Sequence, residues 1–211
     1  MTVISSSNGT ARAFEALVSD VRACTACERM AHAHVLGDAS GPLDARVIFV
    51  AEAVGRRGGA VTGVPLTRDE TGRRFDAFLR LAGIDRGETF ITNAVLCNPL
   101  NAGGRNRTPA AAEIARCRPF LARTLDIVRA PVVVALGRVA LESLQALSRG
   151  RAIAPHDAQM PRDVATALPW CGRTLVPMYH PSRQSTLHRP QAAQEDDWRR
   201  LGEAVAATAA G

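Results

Sequence analysis

Short runs of apolar, often β-branched residues alternate along the chain with longer stretches in which apolar positions recur every three or four residues. The runs Arg46–Val50, Thr89–Leu96, Ala130–Leu136 and Thr174–Tyr179 lack the in-out alternation of a sheet with one wet face, so they read as strands buried on both sides. Between them, Phe14, Leu17, Val18 and Val21 mark a helix over 11–22, and Phe75, Phe78, Leu79 and Ala82 mark one that stops at Gly83. Thr108-Pro109 reads as an N-cap and first helical position, with Ile114, Cys117 and Leu121 on one face of the helix behind it. Gly137 opens another helix that ends by about Gly150, and a last one, over about 192–207, turns Trp198 and Leu201 inward.

Strand and helix in strict alternation predict an α/β fold, a three-layer α/β/α domain around a central four-stranded parallel sheet. Residues 1–10 read as a flexible N-terminal arm and 11–211 as a single domain. Residues 148–173, rich in Arg, Pro and Ala, read as irregular chain that delays the fourth strand.

The polar interruptions carry the candidate chemistry. Ala51–Gly72 is a long glycine-rich loop leaving the first strand, and unstructured loops of that length are uncommon unless they work. In Tyr179-His180-Pro181-Ser182 the proline supplies no backbone donor and holds the residue before it extended, which ends the strand and presents His180 at its tip. Open α/β sheets keep their ligand sites at such tips.

Charge narrows the partners. The 211 residues carry a net +6, and with no lysine present all 26 basic residues are arginine. Guanidinium forks suit phosphate, so a polyanion partner fits, whereas a lysine Schiff base is excluded. No leader pattern opens the chain and no segment approaches the roughly 18 apolar residues of a membrane span, so a soluble cytoplasmic protein is expected. Five cysteines in such a chain argue for metal ligation or free thiols rather than a disulfide framework. Cys24, Cys27, Cys97 and Cys117 suit an all-thiolate site, either a [4Fe-4S] cluster or zinc, while Cys171 falls in the irregular insert. A zinc ribbon would show a second Cys-x-x-Cys knuckle. Here the second pair is 20 residues apart, which favours the cluster.

Over about residues 20–202 the chain resembles the iron-sulfur uracil-DNA glycosylases. The resemblance rests on Cys24-x-x-Cys27, Ile91-Thr92-Asn93-Ala94-Val95-Leu96-Cys97, Cys117-Arg118-Pro119-Phe120-Leu121, Val134-Ala135-Leu136-Gly137-Arg138 and Tyr179-His180-Pro181-Ser182. Two branches of that family meet in it. Gly63–Gly72 and His180-Pro181-Ser182-Arg183-Gln184 look like the broad-specificity type, and Asn93 looks like the uracil-selective type.

The resemblance implies hydrolysis of the N-glycosidic bond of uracil in DNA by a monomeric, monofunctional enzyme that flips the nucleotide out of the duplex. It implies that Asn93 reads the flipped base, that His180 donates to the departing uracil anion, and that Asp69 or Glu52 faces water or the cationic sugar. Asp69 has a second reading, as the cap of the following helix. Ala53 and Gly55 fall where backbone donors contact the base or a phosphate, and Leu66 falls where the family has a stacking phenylalanine. Leu187 is a candidate wedge for the vacated stack or else a core leucine, and Arg105, Arg107, Arg183 and Arg189 are candidate phosphate contacts. Arg56 and Arg57 stand where the selective type has acidic residues. The loop Asn101–Thr108 lacks the histidine with which one related branch bonds covalently to DNA. Leu66 and the Arg56-Arg57 pair also fit a catalytically weakened DNA-binding protein, and the His-Pro-Ser-Arg-Gln run fits a broader deaminated-base glycosylase.

Overall fold

The apolar runs become strands because their branched side chains pack well on a pleated surface that helices can cover from both sides. The computed structural model describes residues 3–148 and 158–209. In chain order the helices are α1 (Val3–Ala23), α2 (Gly59–Thr62), α3 (Glu70–Ala82), α4 (Ala111–Ile127), α5 (Arg138–Ser148) and α6 (Gln191–Ala209). The strands are β1 (Met30–Ala31), β2 (Val47–Ala53), β3 (Thr89–Val95), β4 (Asn98–Pro99), β5 (Val132–Leu136), β6 (Leu168–Trp170) and β7 (Arg173–Met178).

The main sheet runs β3-β2-β5-β7-β6, with β3, β2, β5 and β7 parallel, and β1 pairs with β4 in a small antiparallel ribbon. Ile48, Val50, Val133 and Ala135 face one core with Leu17, Leu121 and Leu144 of α1, α4 and α5. Val47, Phe49, Val132 and Val134 face the other, with Phe75, Phe78, Trp198 and Leu201 of α3 and α6. Trp198 stacks between Phe49 and Phe78 at centroid distances of 5.8 and 5.2 Å. These are the three expected layers.

Three local expectations are corrected. A fifth strand, β6, extends the sheet antiparallel to β7. The two join at Cys171-Gly172, both with positive φ (50° and 74°), the two-residue hairpin geometry whose twist matches that of the strands. This hairpin lies in the stretch read as irregular, and residues 149–157 of that stretch lie outside the described residues. Second, α1 starts at Val3, so the stretch expected as an arm is helical; no proline interrupts it, and each residue added to an existing helix adds a hydrogen bond. Third, α4 starts at Ala111 rather than after Thr108, because the Glu113 carboxylate accepts the Ala110 N–H at 2.7 Å and fixes the first turn there.

The chain leaves β2 for β3 on one side and then crosses to β5 on the other. This reversal opens a crevice beyond the carboxyl ends of β2 and β5, the place where such sheets bind ligands.

Candidate active site and cysteine centre

A cleft of about 400 Å³ occupies that crevice. Glu52, Ala53 and Gly55 enter it from the end of β2, Asn93 from β3, Leu66 and Asp69 from the glycine-rich loop, and His180 from the turn after β7. Every residue expected to handle the base or the chemistry therefore meets in one space.

Asn93 lies opposite Ala51 in the β2–β3 register and is only 4 % exposed. Its amide makes no hydrogen bond among the described residues. The amide instead reaches the open cleft, where a ligand offering both a donor and an acceptor can pair with its two ends. His180 is half-buried and likewise makes no hydrogen bond among the described residues. Its walls desolvate it enough to push its pKa down to about 4 against the opposing pull of Asp69, so the ring is neutral at physiological pH. A neutral imidazole in this position is an N–H donor with no standing charge.

The carboxylates differ. Asp69 caps α3, its Oδ1 accepting the Gly72 N–H at 2.9 Å, while Oδ2 faces Gly55 and Gly58. The cap reading holds through one oxygen, while the other borders the cleft. A β-carbon on Gly58 would lie 2.7 Å from Asp69 Oδ2, which is why the loop needs glycine there. Glu52 has its carboxyl pKa raised by burial, with Arg138 pulling the other way.

Supports that the sequence did not single out hold these groups. Arg74 Nε donates to the Pro181 carbonyl at 3.0 Å and Nη1 to Gln191 Oε1 at 2.8 Å, tying the His180 turn to α6. Arg86 donates to the Pro65 carbonyl at 2.7 Å and to Asp76 at 2.6 Å, bracing the loop that carries Leu66. Asn98 donates to the Val54 carbonyl at 2.6 Å and to Asn106 Oδ1 at 3.0 Å, clamping the turn after β2 against the Asn101–Thr108 loop. Burial of an asparagine next to Cys97 is the one signal that could have flagged it, and burial is not visible in a sequence.

The candidate phosphate contacts divide. Arg107 lines the cleft, yet all five of its guanidinium N–H groups are committed, to Glu113 twice and to the carbonyls of Leu100, Thr108 and Arg29. Hydrogen bonding to Glu113 raises the Arg107 pKa and holds the Glu113 carboxyl below its ordinary value. Arg189 grips the buried Asp197 through two bonds of 2.6 Å. Both have internal work, against the expectation of phosphate contact, because each meets a shielded carboxylate only a few residues away. Arg105 and Arg183 are exposed, and Arg183 has only a loose pair with Glu70 at 3.8 Å. Leu187 is 79 % exposed, so it is not a core leucine.

A second centre lies across α4. Cys24 and Cys27 after α1, Cys97 after β3 and Cys117 in α4 line one small cavity, whereas Cys171 lies apart beside Trp170 and Leu125. All five are free thiols. Burial, with Cys97, Cys24 and Cys27 adding to it, pushes the Cys117 pKa up to about 11. The Leu96 N–H reaches Cys117 Sγ at 3.4 Å, and Cys97 Sγ accepts from the backbone of His34 and Ala33. Ring nitrogens of His32 and His34 lie within 4.8 Å of Cys97 Sγ and of each other, so nitrogen donors flank the thiol set. Convergent thiols supplied with N–H donors to sulfur form a corner able to hold metal.

An open α/β sheet with unpaired polar groups at its switch point and a separate thiol corner defines the class: a ligand-binding α/β protein with a metal-capable cysteine centre. The sequence profile of the uracil DNA glycosylase superfamily matches residues 39–202, and the chain belongs to that superfamily. The type-4 uracil-DNA glycosylase of Thermotoga maritima is 31 % identical over 77 % of this chain and 78 % of its own length. That of Archaeoglobus fulgidus is 27 % identical over 89 % and 90 %. A type-5 uracil-DNA glycosylase of Thermus thermophilus is 32 % identical over 69 % and 68 %.

Proposed function

We propose that this protein is a monofunctional uracil-DNA glycosylase, acting as a single chain in the cytoplasm. The observation that carries the reading is Asn93, a buried amide with no partner, in the same cleft as an equally unpartnered neutral His180. The uracil edge offers a carbonyl and an N–H side by side, the complement of the two ends of an amide. As the glycosidic bond breaks, the electron pair goes to the base, and His180 N–H stabilises the charge that develops on uracil O2. Water adds to C1′ of the sugar cation and gives up one proton, through a carboxylate or solvent, to the uracil anion, leaving an abasic site and free uracil. Asp69, with one carboxylate oxygen uncommitted, orients that water or faces the cationic sugar, and Glu52 is the alternative carboxylate. Leu66 covers the base where an aromatic ring would stack, the backbone at Ala53 and Gly55 borders it, Leu187 fills the vacated stack, and Arg105 and Arg183 take phosphates.

Cys24, Cys27, Cys97 and Cys117 fit a [4Fe-4S] cluster by number, convergence and the N–H groups aimed at their sulfurs. Such a cluster would supply a covalent tie joining the ends of α1 and β3 to α4. Equal iron and acid-labile sulfide in anaerobically purified protein is the expected assay result, and zinc alone would overturn the assignment.

The test of function is incubation with single- and double-stranded oligonucleotides containing uracil, hypoxanthine or xanthine, followed by alkali. Strand breaks at uracil alone, and only after alkali, are expected. Breaks at the purines as well would move the reading to a broader deaminated-base glycosylase. A protein-DNA adduct or breaks without alkali would overturn the monofunctional mechanism, and no breaks at all would overturn catalysis.

A further inference from the structure

Among the described residues only three large apolar side chains stand well into solvent: Val61 at 58 %, Leu81 at 39 % and Leu187 at 79 %. Single exposed apolar residues are ordinary. Two of these, however, sit on segments that line one cleft. Leu187 follows Ser182 and Gln184 on the His180 rim, and Val61 follows Gly55 and Gly59 on the glycine-rich rim.

The turn that carries Val61 is braced to a degree its length does not require. Thr62 Oγ1 accepts the Val64 N–H (3.1 Å), lies 3.0 Å from Thr67 Oγ1, and has its single hydroxyl hydrogen within reach of either the Gly58 or the Val64 carbonyl (3.3 and 3.2 Å). Gly63, at φ 71°, closes α2 with an N–H to the Gly59 carbonyl of 2.8 Å. Gly58 packs so closely on Thr67 and Asp69 that no side chain fits between. The result is a stiff β-branched side chain held out in water by a rigid turn, with nothing in the fold for it to pack on. Arg56 and Arg57, both exposed, stand at the foot of the same turn, as Arg183 stands beside Leu187. Each rim thus pairs one protruding apolar side chain with guanidinium groups, which is the chemistry that meets base edges or stacks between two phosphate backbones.

We propose that the α2 turn is a second DNA-contacting rim: Val61 packs against the duplex next to the extruded nucleotide while Arg56 and Arg57 hold phosphates. Val61 is a positioning residue, steadying the distorted duplex rather than touching the reacting atoms. The inference rests on the uracil-excising reading, and its test separates the two.

The measurement is kcat/KM for uracil in duplex and in single-stranded oligonucleotides of one sequence, with wild type, Val61→Ala, Val61→Ile and Arg56→Gln/Arg57→Gln. Val61→Ala should lower the duplex-to-single-strand ratio about five-fold, since wedge contacts matter only where stacking is disrupted, and Val61→Ile should restore it. The double glutamine variant should flatten the log-log salt dependence of duplex binding by about 2, near 1 per lost phosphate contact. An unchanged ratio in Val61→Ala, equal losses on both substrates, or an unchanged salt slope overturns the second rim. Inactivity of wild type on both substrates overturns the glycosylase reading instead, while the salt slope still tests the arginines. Circular dichroism of each variant separates a lost contact from a lost fold.

Discussion

Asn93 and Asn98 are five residues apart on one stretch of chain and both almost fully buried, yet they are opposites. Asn98 commits its N–H groups to Val54 and Asn106 and so fastens two loops together. Asn93 commits nothing. The same contrast separates His180, neutral and unpartnered, from Arg107, whose every donor is taken. Groups whose donors are committed hold a shape, even where, as in Asn98, the amide oxygen stays unpartnered, and groups with uncommitted donors lining the cleft are set for a ligand. The molecule has a working half of the cleft and a bracing half, and substitutions should separate them.

The largest effect belongs to the working half. Asn93→Ala and His180→Ala should each lower kcat/KM on uracil-containing DNA by about a hundred-fold or more, the usual loss when a preorganised donor to a developing charge is removed. Neither should lower the denaturation midpoint appreciably, because neither side chain has a partner to lose. Near-wild-type activity in both variants would remove the distinction between the halves.

Next comes the brace. Glu113→Ala strands Arg107 among carbonyls and should cost about 2–3 kcal/mol in urea unfolding, with activity falling far less than in the first pair. Glu113 also makes a pH prediction. Its folded pKa lies below the ordinary carboxyl value, so its contribution is complete above that value and is lost as pH falls through the folded one. Wild type should therefore lose more stability than Glu113→Gln on acidification below about pH 4.5. Equal acid sensitivity in the two proteins would mean that the pair carries no weight.

A smaller effect tests the charge state in the cleft. With its pKa near 4, His180 should leave no inflection at pH 6.5 in the activity profile, and its ring resonances should titrate near pH 4 by NMR. The sign for stability follows. Between pH 6.5 and 4 the unfolded chain binds a proton there that the folded chain refuses, so stability declines as pH falls through that window, and His180→Gln should decline less. Activity that drops as pH rises past 6.5 would show a protonated imidazole at work and reverse the assignment.

Much of this was legible beforehand, for definite reasons. Apolar runs of Val and Ile without alternation read as buried on two faces, which gives the parallel sheet, and the proline after His180 stops the apolar run before it. Cys24, Cys27 and Cys97 follow element ends and Cys117 sits on the α4 face turned toward them, so the four line one cavity. What stayed hidden depended on pairing across distance. Nothing in the spacing of Arg107 and Glu113 distinguishes a buried fork from a surface pair, and Arg189 became structural only because Asp197 is 1 % exposed. The β6–β7 hairpin was missed because Cys171 occupies a left-handed position that usually announces itself with Asn, Asp or Gly. Arg74 and Arg86 steady the working half from more than one element away, a role no local pattern encodes.

Leu66 belongs to both halves at once, and that predicts the smallest change. Its side chain lines the cleft and also packs against the core around Phe75, while its carbonyl accepts from Arg86 at 3.4 Å. Its φ of 48° lies in the left-handed region, which phenylalanine must adopt there as leucine does. An aromatic face over the base adds stacking of about 1 kcal/mol or slightly more, equivalent to a gain of about five-fold in kcat/KM for uracil. The gain should appear in KM more than in kcat, because a base stacks in the ground state nearly as well as in the transition state. A loss in thermal midpoint without a fall in KM would mean that Leu66 serves the core alone, and the boundary between bracing and working halves would then run between Leu66 and Asp69.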